Sequence, residues 1–418
     1  MSYRDRSRKQ PHMPRIIKLE VDEKNIKGRF IGVAVLLAIA FTALFIGLKG
    51  AFTTEPGWKV MKSYAEGVSY SEEFVFNYYL GADGVNATTE QRAVDQVYAK
   101  AMEDAYRIFT NQLLEDDTHN IAYLNAHRNE EVNVEPALYR AFEILEQAGL
   151  RYAYLAPVYV EYNGVFLATS DGDAAISDPM RSEEQAEYVR MAAAFAADPA
   201  MVSLELLGEN TVILRVSEEY QSFLETYEID AVLDLNWMTN AFVADFVANA
   251  LIQAGFDNGY LASYDGFTRN LGGVDEVFRF NLFSREGQTY YLPAMMDYSG
   301  AMSLVYLRDY PMDSADRWHY HSYEDGGITS IFLDPADGMS KAAVSDLVLY
   351  GETQSCAELL TLAAPVVIAD SFDAAALVNA AEQGIGAIWS ENRTMYHTQA
   401  DAAITMAADP GYGLELAK

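Results

Sequence analysis

Hydrophobic and polar positions divide the 418-residue chain into three stretches. From Phe30 to Leu48 run 19 residues without a charge, and Thr42 is the only side chain among them with a hydrogen-bonding group. Residues 49–68, with Gly, Thr and Pro (GAFTTEPGWK), show little periodicity and read as a linker. Residues 69–418 switch repeatedly between the 3.6-residue period of helices and the two-residue period of strands. Thr88 and Gln91 predict a capping box, followed by Val94, Val97, Tyr98, Ala101, Met102, Ala105 and Phe109 at helical spacing. Pro136 and Gly149 bracket a second helix. Ser182 and Gln185 open a third, with Tyr188, Met191, Ala192 and Phe195 on one face. Residues 239–254 form a fourth, closed by Gly255. Strands are expected over Arg151–Tyr162, Val202–Val216 (a hairpin turning at Gly208-Glu209-Asn210), Ala231–Leu235, Asn258–Tyr264, Val277–Phe283, Ser303–Leu307, Val344–Tyr350 and Ile385–Trp389. The mixture lacks regular strand–helix alternation and predicts an α+β fold rather than a doubly wound sheet.

The apolar run is close to the ~20 residues a helix needs to cross a bilayer. Arg29 and Lys49 bracket it, and the basic residues concentrate on its N-terminal side. That asymmetry predicts a single-pass protein of the cell membrane, with residues 1–29 as a basic cytoplasmic tail and the 69–418 domain extracytoplasmic. A signal peptide has a shorter apolar stretch of about 7–15 residues. Leu48-Lys49-Gly50-Ala51-Phe52 is also a poor cleavage site, so residues 30–48 are expected to stay as a membrane anchor in the lipid bilayer.

Charge narrows the function classes. The whole chain is −32, yet residues 1–29 carry nine Lys/Arg against four Asp/Glu. The remainder is net −37. So acidic a body repels nucleic acid, and none is expected as a partner. Cys356 is the only cysteine, which excludes an intrachain disulfide and reads as a small buried hydrophobe. There is no nucleophile elbow, zinc-type C-x-x-C or phosphate loop. His319 and His321 make at most half a metal site and read as a surface loop. Asn86-Ala87-Thr88 and Asn392-Arg393-Thr394 read as turns, and Glu115-Asp116-Asp117 as solvated surface.

The chemistry-bearing segments come in a definite order. Ile121-Ala122-Tyr123-Leu124-Asn125 precedes an apolar-periodic helix, and Leu155-Ala156-Pro157-Val158 follows it. Residues 233–245 (LDLNWMTNAFVAD) resemble a D-L-G-x-x-x-K-G-x-x-x-D motif, with Asp234, Leu235 and Asp245 matching. Asn236, Asn240 and Ala241 replace its glycine, lysine and second glycine. Such a strand-to-helix junction suits a pyrophosphate, because free N–H groups and the helix dipole point at it. Residues 261–272 (LASYDGFTRNLG) resemble a G-G-D turn followed by a later glycine. Gly266 and Gly272 match, while Asp265 and Phe267 replace the first glycine and the aspartate. Asp334-Pro335-Ala336-Asp337-Gly338 resembles D-P-x-T-G, and residues 355–362 resemble A-D-x-x-x-T-A with Ala357 at the aspartate position.

In this order the segments resemble the FAD:protein FMN transferases, the ApbE-like family, from about Phe74 to His397. The resemblance implies that family's fold, FAD and Mg²⁺ as cofactors, and transfer of FMN onto Thr or Ser of a flavoprotein target or membrane redox complex. It implies Asn125, Asp234, Asn240, Gly266 and Asp334 as flavin-nucleotide contacts, and Thr239, Glu358 and Thr361 as metal contacts. It assigns no catalytic residue. Each motif has lost a residue with a chemical role, and Asp265 and Asp337 add negative charge where phosphate would lie. The expected function is a domain with lost or weakened catalysis that binds a flavin, a nucleotide or a protein partner. An active, divergent magnesium-dependent transferase is the alternative.

Overall fold

The computed structural model describes residues 31, 34–44, 53–63, 68–82, 84–113, 118–312, 316, 318–408 and 411–417. The chain forms two units, Met1–Thr54 and Glu55–Lys418. In the first, residues 34–44 are helical with exposed side chains, and Thr42 Oγ1 donates to the Ala38 carbonyl at 2.8 Å. Among the described residues, no helix is long and apolar enough to cross a membrane. The rest of the 30–48 anchor, the 1–29 tail and the 115–117 acidic cluster lie outside the described residues.

The second unit is built on a nine-stranded sheet. Its strands are β1 (Gly57–Met61), β2 (Phe74–Leu80), β3 (Gly259–Ser263), β4 (Phe267–Asn270), β5 (Met302–Arg308), β6 (Asp346–Gly351), β7 (Gly386–Glu391), β8 (Thr394–His397) and β9 (Gly413–Leu416). Their order across the sheet is their order along the chain. Neighbours pair antiparallel except the last two, which are parallel. β1 corrects the linker reading: the folded unit starts inside residues 49–68. Trp58 explains it, because its ring packs on Tyr79, Tyr260 and Phe278 and its indole N–H donates to Glu276.

Period two places two cores. In β5, Val305 and Leu307 join the larger core on one face, while Met302, Leu304 and Tyr306 join a smaller core on the other. β6 repeats this with Leu347 and Leu349 against Val348 and Tyr350. A hairpin, Val277–Glu286 with Thr289–Ser299, roofs the smaller core through Leu282, Ala294 and Met296. Strands covered on both faces lose their polar alternation, so β5 and β6 are buried throughout.

The larger core is closed by helices. These are α1 (Ala87–Phe109), α2 (Pro136–Gln147), α3 (Ala156–Phe166), α4 (Glu183–Ala197), α5 (Thr239–Gln253) and α6 (Cys356–Val367). The first five interrupt the sheet between β2 and β3, together with the three-stranded sheet holding the Val202–Val216 hairpin. α1 starts at Ala87, earlier than the expected capping box, because Asn86 accepts from Thr89 N–H. Pro136, Ser182, Gly149 and Gly255 act as expected. Asn392 and Arg393 form the β7–β8 turn, both at positive φ.

Two expected strands are not strands. Residues 151–162 form a 3-10 turn, Tyr152–Leu155, and then α3. Tyr152 to Tyr159 are buried on every side, so no polar face marks a helix, and Pro157 fits a first turn better than a central strand. Residues 231–235 are irregular. The N–H groups of Val232 and Leu233 donate to the Asn125 side chain, and that of Asp234 donates to the Ala153 carbonyl. Those groups are therefore not free to pair with another strand.

Candidate functional site

Asn125 builds the approach. Its Oδ1 accepts from Val232 and Leu233 at 3.0 Å, and its Nδ2 donates to the Leu233 carbonyl at 2.8 Å. The side chain thus stands in for a neighbouring strand. The carboxylate of Asp234 then accepts from Asn111 Nδ2 and from Asn236 N–H, each at 3.0 Å. Asn236 has φ +52°, the left-handed region. Asn is the side chain that best tolerates it, so the residue replacing the motif glycine keeps a glycine-like backbone.

The chain passes through a 3-10 turn, Asn236–Met238, into α5. In the first turn of α5, Asn240 is 6% exposed. Its Nδ2 donates to Glu73 Oε2 at 2.8 Å and to Asp265 Oδ2 at 2.9 Å. Glu73 ends the turn before β2, and Asp265 lies in the β3–β4 turn. Two carboxylates from distant parts of the chain therefore share one amide. Flipping that amide would set its carbonyl against both, so its orientation is fixed.

Gly266 positions Asp265. It has φ +108°, and a Cβ there would lie 2.2 Å from the Tyr306 carbonyl oxygen. Tyr306 N–H donates to the Gly266 carbonyl at 2.9 Å, which holds β5 that close. The other matched glycines are equally constrained. Gly272 has φ +88° with Ala301 at 2.8 Å, and Gly338 has φ +74° with Val189 at 2.6 Å.

Glu73, Asn240 and Asp265 line a cavity of about 460 Å³ with Glu72, Tyr264, Asp316, Trp318 and His319. No Lys or Arg is among the described residues that line it. Behind the wall, Arg308 is held by both oxygens of Asp316, at 2.8 and 2.9 Å, with both residues buried. Burial pushes Asp265 up to about 6. Burial also raises Glu73, with the charge of Asp265 adding to it. Burial lowers His319, so the imidazole is neutral at neutral pH. Tyr70 links this cluster to Asp234, since burial and the charges of Asp234 and Glu73 all raise its hydroxyl. The arrangement is a negative pocket that accepts hydrogen bonds.

The expected site residues separate into groups. Asn125 and Asp234 shape the entry to α5, and Asn240 and Gly266 meet at the cleft. Asp334 is not in its wall. Asp334, Asp337 and Asp370 surround Lys341 Nζ at 2.8, 3.0 and 2.8 Å. Thr239, Glu358 and Thr361 each have a partner within the chain. Thr239 Oγ1 donates to the Asn236 carbonyl at 2.6 Å, and Thr361 Oγ1 to the Glu358 carbonyl at 2.8 Å. Glu358 closes a capping box on α6 with Ser355. Among the described residues, no group of three or more His, Cys, Asp or Glu is placed to hold a metal ion. Of the residues expected to hold Mg²⁺, only Glu358 is a carboxylate, and it is engaged in the α6 cap.

Asp245, a matched motif residue, has a structural role. It accepts from Arg269 and from the N–H groups of Cys356 and Ala357, each at 2.9 Å, joining α5 to the start of α6. Cys356 is fully buried, as expected. His321 binds Asp171 at 3.1 Å, while His319 lines the cleft and is more than a surface-loop residue. Sequence reasoning missed Glu73 because its partner Asn240 comes from a distant helix. No local pattern joins them.

No protein-family model matches this chain, and no curated protein matches it. Solved structures do. The crystal structure of the ApbE protein from Thermotoga maritima MSB8 matches with a TM-score of 0.54 at 13% identity, over 84% of this chain and 97% of that one. A mutant of the flavin transferase ApbE from Vibrio cholerae matches with a TM-score of 0.50 at 13% identity, over 85% and 98%. The chain has the ApbE-like α+β fold.

Proposed function

We propose that this is an ApbE-like domain with lost or weakened transfer chemistry, held outside the cytoplasm by residues 30–48 and working as a binding domain. One observation carries the reading: Asn240 and Asp265, which replace a motif lysine and glycine, bond to each other, and Asn240 also bonds to Glu73. Moving FMN from FAD to a hydroxyl cleaves a pyrophosphate and releases AMP. Such transfers depend on cations that neutralise developing charge. Among the described residues, the lining of this pocket offers carboxylates and no Lys or Arg. Glu358, the one carboxylate expected to hold Mg²⁺, is engaged in the α6 cap, which supports the same reading.

The test uses the full chain in detergent with FAD, Mg²⁺ and a threonine-bearing flavoprotein acceptor. Released AMP and gel-resolved covalent flavin are followed. Neither should rise above a protein-free blank. Turnover on the order of 1 per second, an ordinary enzyme rate, would sink the proposal. The alternative is an active Mg²⁺-dependent transferase serving extracytoplasmic redox proteins. The glycine-type backbone kept at Asn236, Gly266, Gly272 and Gly338 favours it. In that case Glu358→Ala and Thr361→Ala abolish turnover. The anchor is tested separately: the chain should resist carbonate extraction from membranes and become soluble when residues 1–54 are removed.

A further inference from the structure

Alternation of side chains also gives β1, β2 and β3 an outward face that belongs to neither core. Register sets Trp58 opposite Tyr79, and Val60, Asn77 and Tyr260 side by side across the three strands. Val75 and Ala262 extend the same face. The residues between them, such as Phe76, Tyr78 and Leu261, point the other way into the larger core. Trp58 is the hub of the outward face. Its ring packs on Tyr79 at 5.6 Å, on Tyr260 at 6.0 Å and on Phe278 at 5.9 Å. These rings are half-buried, and Val60 beside them is 58% exposed. None of these outward residues carries a charge, although residues 30–418 are net −37. An uncharged aromatic sheet face left in water forgoes the free energy of being covered, and such faces mark interaction surfaces.

We propose that this face lies in the interfacial layer of the lipid bilayer. The inference rests on the reading that residues 30–48 stay in the membrane. Chain length supplies the reach. Eight residues, 49–56, separate the apolar run from Gly57, where β1 starts, and fully extended they span at most about 29 Å. β1 is thus the first element that the tether holds near the surface. Ring chemistry supplies the fit. Trp and Tyr gather where hydrocarbon meets water, because one end of each ring is apolar and the other hydrogen-bonds. Charge limits the depth. Glu276 accepts the Trp58 indole N–H at 2.9 Å, and its carboxylate stays at headgroup level because hydrocarbon excludes it. Charge also argues against a second copy of the chain, which would press two strongly acidic bodies together.

Spin-label accessibility in vesicles tests this. The full chain carrying Val60→Cys is labelled, and buried Cys356 does not compete. It is reconstituted into phosphatidylcholine vesicles. Collisions of the label with oxygen, which concentrates in bilayers, are compared with those of a water-soluble nickel chelate. The oxygen-to-nickel ratio is expected to exceed that of a Met191→Cys control, 38% exposed on α4, by about fivefold. Trp58 gives a second readout without a label. Brominated phosphatidylcholine should quench the emission of the Trp318→Phe chain, and adding Trp58→Phe should remove the quenching, because Trp237 and Trp389 are buried. A ratio equal to the control, or quenching that survives loss of Trp58, overturns the proposal. Dipolar broadening of the label identifies a second copy and overturns it as well. Vesicle flotation is read separately: a chain that floats without immersing the face defeats this inference alone, and a chain that does not float defeats the anchor reading beneath it.

Discussion

Gly266 has the strictest steric requirement at the cleft. An added Cβ meets the Tyr306 carbonyl at 2.2 Å, and φ +108° is strained for any L side chain. Gly266→Ala must either shift β5 or break the Tyr306–Gly266 hydrogen bond, so it should cost about 3 kcal/mol or more. Urea denaturation would show this as a lower midpoint; an unchanged midpoint would mean the turn relaxes freely. Residue identity made this position legible, since glycine in a turn motif implies positive φ. Asn236 was readable on the same logic, because Asn is the usual substitute. The role of Glu73 was not readable. A carboxylate before a strand looks like solvated surface until a helix from far along the chain brings an amide to it. The Thr239 and Thr361 hydroxyls each donate to a carbonyl one turn back, a bond that the sequence did not make legible.

At the level of elements, the start of α6 shows how a motif position can serve architecture. Ser355 and Glu358 cap the helix reciprocally. Asp245 on α5 takes two further N–H groups there and an ion pair with Arg269. Ser355→Ala and Glu358→Ala should each cost about 1 kcal/mol, the usual value of a cap. Asp245→Ala should cost about 3 kcal/mol, since it strands a partly buried arginine as well as two buried donors. Thermal melts with and without Mg²⁺ check this. A Mg²⁺-dependent rise in melting temperature that only Glu358→Ala removes would assign that carboxylate to a metal instead. Element type was legible wherever a cap or a hydrophobic stripe marked it, as at Pro136, Ser182 and Gly255. It failed at residues 151–162, where uniform burial erases the stripe. It failed again at residues 231–235, where a distant asparagine consumes the backbone donors.

For the molecule as a whole, the sheet's strand order was beyond sequence reading, because β2 and β3 are neighbours across a long excursion that holds eight helices and a second sheet among the described residues. The net charge was legible, and its consequence depends on where the acids sit. Burial pushes Asp346 up to about 7 and Asp309 and Asp265 up to about 6. Unfolded aspartate titrates near 3.9, so between about pH 4 and 7 the folded state holds more protons than the unfolded one. Stability is therefore greatest below that window and is lost as pH rises through 6 and 7. Each unit of separation corresponds to about 1.4 kcal/mol before discounting for solvent access. Exposed carboxylates with lowered pKa, such as Asp297 beside Arg279 and Asp325 beside Arg181, act in the other direction at lower pH. They place the optimum near pH 4 rather than at full acidity. Because the body is so acidic, protonation there also relieves self-repulsion. The melting temperature should fall by several degrees between pH 5 and pH 8, and Asp346→Asn should remove much of that slope. A flat or rising profile over this range would mean that the three aspartates are ionised and compensated in the folded state, most simply by cations bound beside them.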